Sequence, residues 1–140
     1  MANWYGSARS NYFRVIDPDK FKKLMKELDV QVWKKKDNKG QIMFGLAPND
    51  SSDGAWPTSL WDEENNEDIE ISIPQIVAGH LTPGSIAVFM ECGAEKLHYL
   101  TGWAVAINHK GKEVAISIHD IYRKAQEKFG FNNEVTEAEY

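Results

Sequence analysis

Apolar residues recur with the spacing of a helix in three segments of the chain. In the first, Asp17 stands directly before Pro18, and proline is well tolerated at the first position of a helix. The apolar positions that follow have the i, i+3, i+4, i+7 spacing of one helix face: Phe21, Leu24, Met25 and Leu28. We therefore predict a helix that begins after Asp17, with Asp17 as its N-cap.

Two further segments carry a serine near their start. Three residues later, each has a side chain that can form a hydrogen bond back to the backbone of that serine. The first, "ISIPQIVAGHL", carries Ser72 and Gln75, and the second, "ISIHDIYRKAQEKFG", carries Ser117 and Asp120. This arrangement is the capping box that marks helix N-termini. The third helix is predicted to end at Gly130 and to have one apolar face: Ile118, Ile121, Tyr122, Ala125 and Phe129.

Short apolar runs bounded by turn residues lie between the helices and are typical of strands. They are "NYFRVI", "VQVW", "QIMFGL", "SIAVFMEC", "LHYLTGWAVAI" and "EVAISI". The pattern predicts an α+β fold, a mostly antiparallel sheet with about three helices packed on it. The predicted order is β-α-β-β-loop-β-α-β-β-β-α. Residues 1–130 are predicted to form a single domain and residues 131–140 an acidic tail.

Alternation within "NYFRVI" predicts which side chains of this segment enter the core. Phe13 and Val15 share one face, which we expect to be covered by helices. Tyr12 and Arg14 lie on the opposite face, which we expect to be open.

The N-terminal segment also interleaves aromatic residues with arginine, a combination that can stack on bases or bind phosphate. Trp4 and Tyr5 precede the predicted strand, and we expect them to form a flap on the sheet edge. Structural packing is the simpler use of the aromatic residues. Arg9, Tyr12 and Arg14 are the candidates for contact with a ligand or a nucleic acid.

Residues 47–68, "APNDSSDGAWPTSLWDEENNED", have no periodicity. A long segment of this kind in a compact domain is either functional or disordered, and its tryptophans favour order. Because Pro57 restricts Trp56 to an extended backbone, we predict that Trp56 fixes this loop to the core. Trp61 directly precedes a run of acids and is predicted to be the more exposed tryptophan.

Charge is segregated along the 140 residues, although the net charge is only −5. Residues 14–39 carry nine basic and five acidic side chains, whereas residues 47–70 carry eight acidic side chains and no basic one. Residues 131–140 add three acids and no base. This segregation predicts faces of opposite sign, although solvated loops that keep the protein soluble would have the same composition.

The overall composition, 42% apolar and 26% charged, is typical of a soluble globular protein. No apolar run approaches the roughly 18 residues of a membrane span, and "MANWYGSARS" lacks the apolar centre of a signal peptide. We therefore expect a cytoplasmic protein with no membrane partner. The single cysteine, Cys92, excludes an internal disulfide.

The sequence contains no nucleotide-binding, zinc-protease or serine-hydrolase motif, and no two histidines have the spacing of a helical metal pair. Cys92 and His98 could act as nucleophile and base. A cysteine at a strand end is more simply a small apolar filler, and Glu91 opposite Lys96 or His98 is more simply a cross-strand charge pair. We predict no catalytic residue, no cofactor and no metal site.

The segments "NWYGSARSNYFRV", "ECGAEKLHYLTGWAVAINHKGK" and "SIHDIYRKA" resemble small accessory proteins encoded by phages and plasmids. That group has no assigned chemistry, so the resemblance implies a setting and no catalytic residues. It implies a bacterial host cell and, as in anti-CRISPR and anti-restriction proteins, binding to host machinery.

Our primary hypothesis is a non-enzymatic interaction protein of a mobile genetic element that binds a host or element protein stoichiometrically and could inhibit host defence. The predicted contact surface is acidic and carries one tryptophan: Trp61, Asp62, Glu63, Glu64, Glu67 and Asp68. The alternative is a nucleotide- or nucleic-acid-binding protein that uses Arg9, Tyr12 and Arg14 together with the lysines of residues 20–39.

Overall fold

The computed structural model describes residues 4–49, 54–95, 99–136 and 138. Within these ranges three helices alternate with eight strands. The helices are α1 (Pro18–Glu27), α2 (Ile73–Ala78) and α3 (Asp120–Phe129). The strands are β1 (Trp4–Ser10), β2 (Val30–Lys36), β3 (Ile42–Pro48), β4 (Ser59–Asp62), β5 (Glu67–Glu70), β6 (Ala87–Glu95), β7 (Tyr99–Ile107) and β8 (Glu113–Ser117).

Four strands form an antiparallel sheet in the order β1-β6-β7-β8, and β2–β3 and β4–β5 form two separate antiparallel hairpins. The predicted α+β class and element order are confirmed. The strands are nevertheless divided among three sheets in the described part of the chain, where the sequence analysis expected one.

The first strand lies further towards the N-terminus than the sequence predicted. Residues 4–10 form the edge strand β1 on β6, so Trp4 and Tyr5 belong to the sheet backbone and not to a flap. Asn11 ends this pairing, because its side chain donates to the Ile86 carbonyl (2.9 Å) and accepts from the Val88 N–H (2.8 Å). The side chain thus takes the place of a strand partner, and the backbone turns away from β6.

The segment predicted as the first strand, "NYFRVI", instead crosses between elements through two isolated bridges. Phe13 pairs with Phe44 of β3, and Val15 pairs with Leu81 after α2. Phe13 and Val15 are buried, as the alternation predicted. This crossing segment connects the β2–β3 hairpin to the rest of the core.

The core lies on one face of the four-stranded sheet, which we call the inner face. Its largest fully buried side chains come from the crossing segment, α1, β3, α2 and the sheet: Phe13, Phe21, Phe44, Phe89, Met25, Leu46, Ile73, Leu81, Ile107 and Val77. Phe21 of α1 contacts both Phe13 and Phe44, with ring centroids 5.8 Å apart in each pair. Helix α2 therefore covers this face directly, whereas α1 packs against the β2–β3 hairpin and the crossing segment.

The first two helices begin where the sequence predicted. Asp17 accepts from the Lys20 N–H (3.2 Å) at the start of α1, and Ser72 accepts from the Gln75 N–H (3.4 Å) at the start of α2. The Gln75 side chain donates to the Gly111 carbonyl (3.3 Å), so it ties α2 to the β7–β8 turn instead of closing the predicted capping box.

The third helix begins two residues later than predicted. Ser117 is the last residue of β8, and the N-cap position of α3 is His119, whose side chain makes no capping bond. The Ser117 N–H donates to Asp120 (2.9 Å), so one half of the predicted reciprocal bond is present and joins the strand to the helix. None of the residues of α3 is buried.

The segment 47–68 is more regular than the loop that the sequence predicted. Residues 47 and 48 complete β3, and residues 59–70 form the β4–β5 hairpin. Residues 50–53 lie outside the described part of the chain. Within the predicted acidic tail, Asn133 donates to the Phe129 carbonyl and Ala138 donates to the Tyr122 hydroxyl (2.9 Å), so this part of the tail contacts α3.

No helix in the ranges that the structure describes is long and apolar enough to cross a membrane.

Candidate functional site

The β4–β5 hairpin carries all of the predicted protein-binding residues. Residues 62–67 make its turn, in which Asp62 accepts from the Glu64 N–H (3.0 Å) and from the Asn65 side chain (2.7 Å). Asn66 has a positive φ of 52°, a conformation that asparagine tolerates better than most residues. The hydrogen bond from the Asn65 side chain lowers the pKa of Asp62. Asp62 therefore shapes the turn, and the neighbouring acids project from it.

Apolar and acidic side chains lie next to each other on this hairpin. Leu60 lies opposite Ile69 on one face, and Trp61 lies opposite Asp68 on the other. The exposed fraction is 55% for Trp61, 37% for Leu60 and 46% for Ile69. Neither strand of the hairpin joins another sheet in the described chain. The hairpin therefore presents apolar surface and negative charge together to solvent.

Trp56 holds the base of this hairpin against the inner face of the sheet, as predicted. It is only 5% exposed, and its ring contacts Phe89 edge to face with centroids 5.2 Å apart. Its indole N–H donates to the Met90 carbonyl (3.3 Å). The contrast with Trp61 confirms the predicted burial order of the two tryptophans.

Glu91 is a structural residue whose role the sequence analysis missed. In the register of the sheet it lies opposite Trp103, so the predicted pairing with Lys96 or His98 is wrong. One carboxylate oxygen accepts from the Trp56 backbone N–H (2.9 Å) and the other from the Trp103 indole N–H (3.0 Å). Glu91 thus joins the hairpin base to the sheet. Strand register, which the sequence did not reveal, was the information needed to find this contact.

The three residues proposed for nucleic-acid contact are engaged within the protein. The Arg9 guanidinium stacks on the Trp33 ring, 4.1 Å from its centroid. Arg14 forms a salt bridge with Asp37 (2.5 Å), and this hydrogen bond lowers the pKa of Asp37.

The Tyr12 side chain, like that of Arg14, packs within the protein. Its ring lies so close to Gly45 that a Cβ atom there would be 3.0 Å from Cε1 of Tyr12. The face that we expected to be open for Tyr12 and Arg14 is therefore occupied by the β2–β3 hairpin. With Met43 and residues 82–86, these two side chains line a depression of about 410 Å³.

Lysines from two elements of the basic segment do meet. Lys22 of α1 lies against Lys34 of β2, and contact with the Lys22 ammonium group lowers the pKa of Lys34. Asp19 offsets part of this repulsion through a 3.7 Å ion pair with Lys22. The basic segment thus forms a small positive surface beside α1.

The second face of the four-stranded sheet, which we call the outer face, has no covering element among the described residues. Its exposed large apolar side chains are Met90, Leu100, Val114 and Ile116. A groove of about 460 Å³ runs across this face between β1, β6, β7 and β8. Ile118, which lies between β8 and α3 and lines the groove, is 51% exposed, and Ile121 and Phe129 of α3 are 60% and 70% exposed. The apolar stripe predicted for α3 is therefore present but solvent-exposed.

The chemistry of the remaining candidates is limited. Cys92 is exposed in the groove of the outer face, whereas His98 and Lys96 lie outside the described residues. In residues 4–49, 54–95, 99–136 and 138, no three His, Cys, Asp or Glu side chains come together as a metal-binding group.

Comparison with known proteins gives this chain no relative. No protein-family model, no curated protein and no solved structure matches it.

Proposed function

We propose that this protein is a non-enzymatic interaction protein that binds a basic protein surface through the β4–β5 hairpin. The observation that carries the proposal is the exposure of Trp61 on a hairpin with six acidic residues and no basic one. A tryptophan at the centre of a contact is the side chain that most often dominates binding energy. Surrounding charge accelerates and orients the encounter with a partner of opposite sign.

The hairpin combines a rigid base with an exposed tip. Trp56 fixes the base to the sheet through two hydrogen bonds, one to Glu91 and one to the Met90 carbonyl. The Ile71 N–H donates to the Thr58 carbonyl (2.9 Å) where the hairpin returns. A surface held in this way loses little conformational entropy on binding. The exposed side chains can therefore contribute most of their contact energy to the complex.

The mobile-element setting is part of the same proposal and rests on the resemblance of three sequence segments to phage and plasmid accessory proteins. In that setting the partner is a basic protein of the host or of the element, and a host defence nuclease is one such target. Genes for phage or plasmid functions beside this one would support the setting, and a metabolic operon would oppose it.

The experiment is a capture assay with the immobilised protein and bacterial lysate, read by mass spectrometry. The test variants are Trp61→Ser and the charge reversal E63K/E64K/D68K. Asp62 is left unchanged because it holds the turn. The matched control, E27K/E113K/E134K, reverses three acids that are exposed elsewhere and gives the same net charge.

We expect basic proteins captured by the wild type to be lost from both hairpin variants and retained by the control. Their retention should fall with added salt, because exposed charges are screened over about 8–10 Å at physiological ionic strength. Capture that is unaffected by either hairpin variant would reject the hairpin as the contact surface. Loss with the control as well would show a response to net charge alone and would also reject it.

No structural observation favours the alternative of nucleic-acid binding at Arg9, Tyr12 and Arg14, since all three make the intramolecular contacts described above. Lys22 and Lys34 lie together beside α1, and Lys20, Lys23 and Lys26 of the helix are exposed. Titration of labelled single-stranded and duplex oligonucleotides at low salt tests this alternative directly. Binding that falls steeply with salt would support it, because phosphate contacts release counterions.

A further inference from the structure

Two apolar surfaces of this chain are uncovered side by side. The first is the outer face of the four-stranded sheet, to which Ile118 belongs, and the second is formed by the apolar residues of α3 and by Phe131, which follows the helix. Together they hold eight of the fourteen large hydrophobic side chains that the described residues expose: Met90, Leu100, Val114, Ile116, Ile118, Ile121, Phe129 and Phe131. Soluble monomers rarely leave a contiguous apolar surface of this size uncovered, so it marks an interaction site.

We propose that a second copy of this chain covers both surfaces, with α3 of each copy seated in the outer-face groove of the other. One chain carries one groove and one unoccupied helix. A two-fold exchange therefore covers all four surfaces of a pair at once. If a helix of another protein occupied the groove, α3 would remain uncovered. If another protein bound α3 in a groove of its own, the outer face of the sheet would remain uncovered.

The dimensions of the helix and the groove agree. Helix α3 has ten residues and is therefore about 15 Å long. The sheet has four strands spaced by about 4.8 Å, which makes it about 14 Å wide. The groove crosses all four of these strands. One such helix can therefore span the groove from edge to edge.

The junction between β8 and α3 explains why the helix does not cover its own sheet. The Ile118 N–H donates to the Gly102 carbonyl (2.9 Å), and the Ile118 side chain packs over Gly102. The Ser117 N–H donates to Asp120, and the His119 N–H donates to the Ser117 hydroxyl (3.2 Å). These bonds fix the direction in which α3 leaves the sheet, and in that direction its apolar stripe remains exposed.

The charges around the groove favour an apolar occupant. Arg9 and Glu91 are the charged residues among those lining it. Arg9 stacks on Trp33, and Glu91 accepts hydrogen bonds from Trp56 and Trp103. The groove therefore offers an incoming helix little beyond apolar contact. Of the basic side chains of α3, Arg123 lies on the opposite side of the helix from Ile121, whereas Lys124 and Lys128, three and seven residues after Ile121, border its apolar face.

The available area is sufficient for a stable dimer. A fully exposed large apolar side chain presents about 60–120 Å². The eight side chains are about 50–75% exposed, so one chain offers roughly 450 Å² of apolar surface. At the roughly 65% apolar content of homodimer interfaces, two copies would bury about 1,400 Å² in total. This area lies within the range of about 1,200–2,000 Å² found for specific interfaces.

The first test is the mass of the protein in solution by analytical ultracentrifugation over a range of concentrations. We expect a dimer for the wild type and roughly 100-fold weaker self-association for the helix variant I121E/F129E and the groove variant A104E. The matched control is I16E, which places a charge at a 67% exposed isoleucine away from both surfaces. Circular dichroism melts check that each variant is folded.

A monomeric wild type at high concentration would overturn the proposal, as would a control that dissociates as readily as the helix and groove variants. Mixing I121E/F129E with A104E provides a further check, because the first retains an intact groove and the second an intact helix. Partial recovery of dimer in the mixture supports exchange of the helix. Failure to recover any dimer opposes it.

The second test uses the lone cysteine in the groove to identify the contact. The wild type supplies Cys92, and the variant C92S/I121C supplies a thiol on α3 and none in the groove. An oxidised mixture of the two should contain a disulfide between unlike chains. Disulfides only between two copies of the wild type would show that the sheets pack face to face, and this would refute seating of the helix.

The dimer does not depend on the proposed function. The hairpin variants used for the capture assay should leave the sedimentation behaviour unchanged. The ultracentrifugation test of the dimer can therefore fail while the capture assay still supports the hairpin as the contact surface. The capture assay can likewise fail while the dimer is confirmed.

Discussion

Replacement of Trp56 by alanine should cause the largest stability loss of any single change in the hairpin segment. Trp56 is only 5% exposed, and truncation of a buried tryptophan to alanine typically costs about 3–5 kcal/mol. The lost indole bond to the Met90 carbonyl is included in that range, since a neutral hydrogen bond is worth about 1 kcal/mol. We therefore expect a loss of about 4 kcal/mol.

The matched comparison is Trp61→Ala on the same hairpin. Trp61 is 55% exposed, so its replacement should cost about 1 kcal/mol or less. With a urea m-value of about 2 kcal/mol/M, the unfolding midpoint should fall by about 2 M for Trp56→Ala and by about 0.5 M or less for Trp61→Ala. Urea melts followed by circular dichroism measure both midpoints.

Iodide quenching gives an independent check of the same assignment. Removal of Trp61 should reduce the readily quenched fluorescence, whereas removal of Trp56 should leave that component in place while the protein is folded. Equal midpoints for the two variants, or a larger loss for Trp61→Ala, would refute the conclusion that Trp56 anchors the hairpin.

Three other substitutions test individual contacts. Glu91→Ala should lower the free energy of unfolding by about 2–4 kcal/mol, because it leaves the Trp56 N–H and the Trp103 indole N–H without their acceptor. Urea melts measure this loss, and Glu113→Ala, at an exposed position, is the control. Asp37→Asn should destabilise the protein at neutral pH, and its difference from wild type should disappear in thermal melts as the pH falls below about 4. The reason is that the pKa of Asp37 is lowered in the folded state, so its stabilisation is present above the unfolded pKa and is lost as pH falls through the folded one. Lys34→Gln should raise the melting temperature at neutral pH, because contact with Lys22 lowers the pKa of Lys34 in the folded state. The repulsion between the two ammonium groups persists at every pH below that folded-state pKa. The rise in melting temperature should be smaller in high salt, which screens this repulsion. A Lys34→Gln protein that is less stable than wild type would contradict the proposed repulsion.

The helix starts at Asp17 and Ser72 were predictable because they depend on neighbouring residues alone. A capping side chain acts on an N–H group three residues away, and both bonds are present. The burial of Phe13 and Val15 followed from alternation in the same local way. Local signals of this kind also identified Trp56 as the anchored tryptophan, since the following proline constrains its backbone.

Strand β4 was missed, and β1 was placed too far along the chain, because their pairing depends on partners that the local sequence does not name. Strand β1 contains Gly6 and Ser7, which have low strand propensity, and it is held as an edge by β6. Strands β4 and β5 have four residues each and are rich in acids. The polar run "DEENNE", with Leu60 and Trp61 directly before it and Ile69 shortly after it, was the signal that could have indicated this hairpin.

The roles of Glu91 and α3 were not predictable for a different reason. Glu91 accepts from two tryptophans that lie 35 residues before it and 12 residues after it, so only the sheet register brings the three together. The spacing of Ile118, Ile121 and Phe129 predicts an apolar helix face but carries no information on what that face meets. The structure shows Ile121 and Phe129 of this face to be exposed, and the proposal that the face is a contact surface rests on that exposure.

The two proposed surfaces are separated by the thickness of the sheet, and this separation has a functional consequence. The hairpin is anchored to the inner face through Trp56 and Glu91, whereas the groove lies on the outer face. A dimer formed through the grooves would therefore leave both acidic hairpins exposed. Two linked hairpins can raise the apparent affinity for a multimeric or repetitive basic partner by about 10²–10⁴-fold when both engage at once. Dimer formation would thus strengthen a contact that one small hairpin makes only weakly, without adding any residue to that contact.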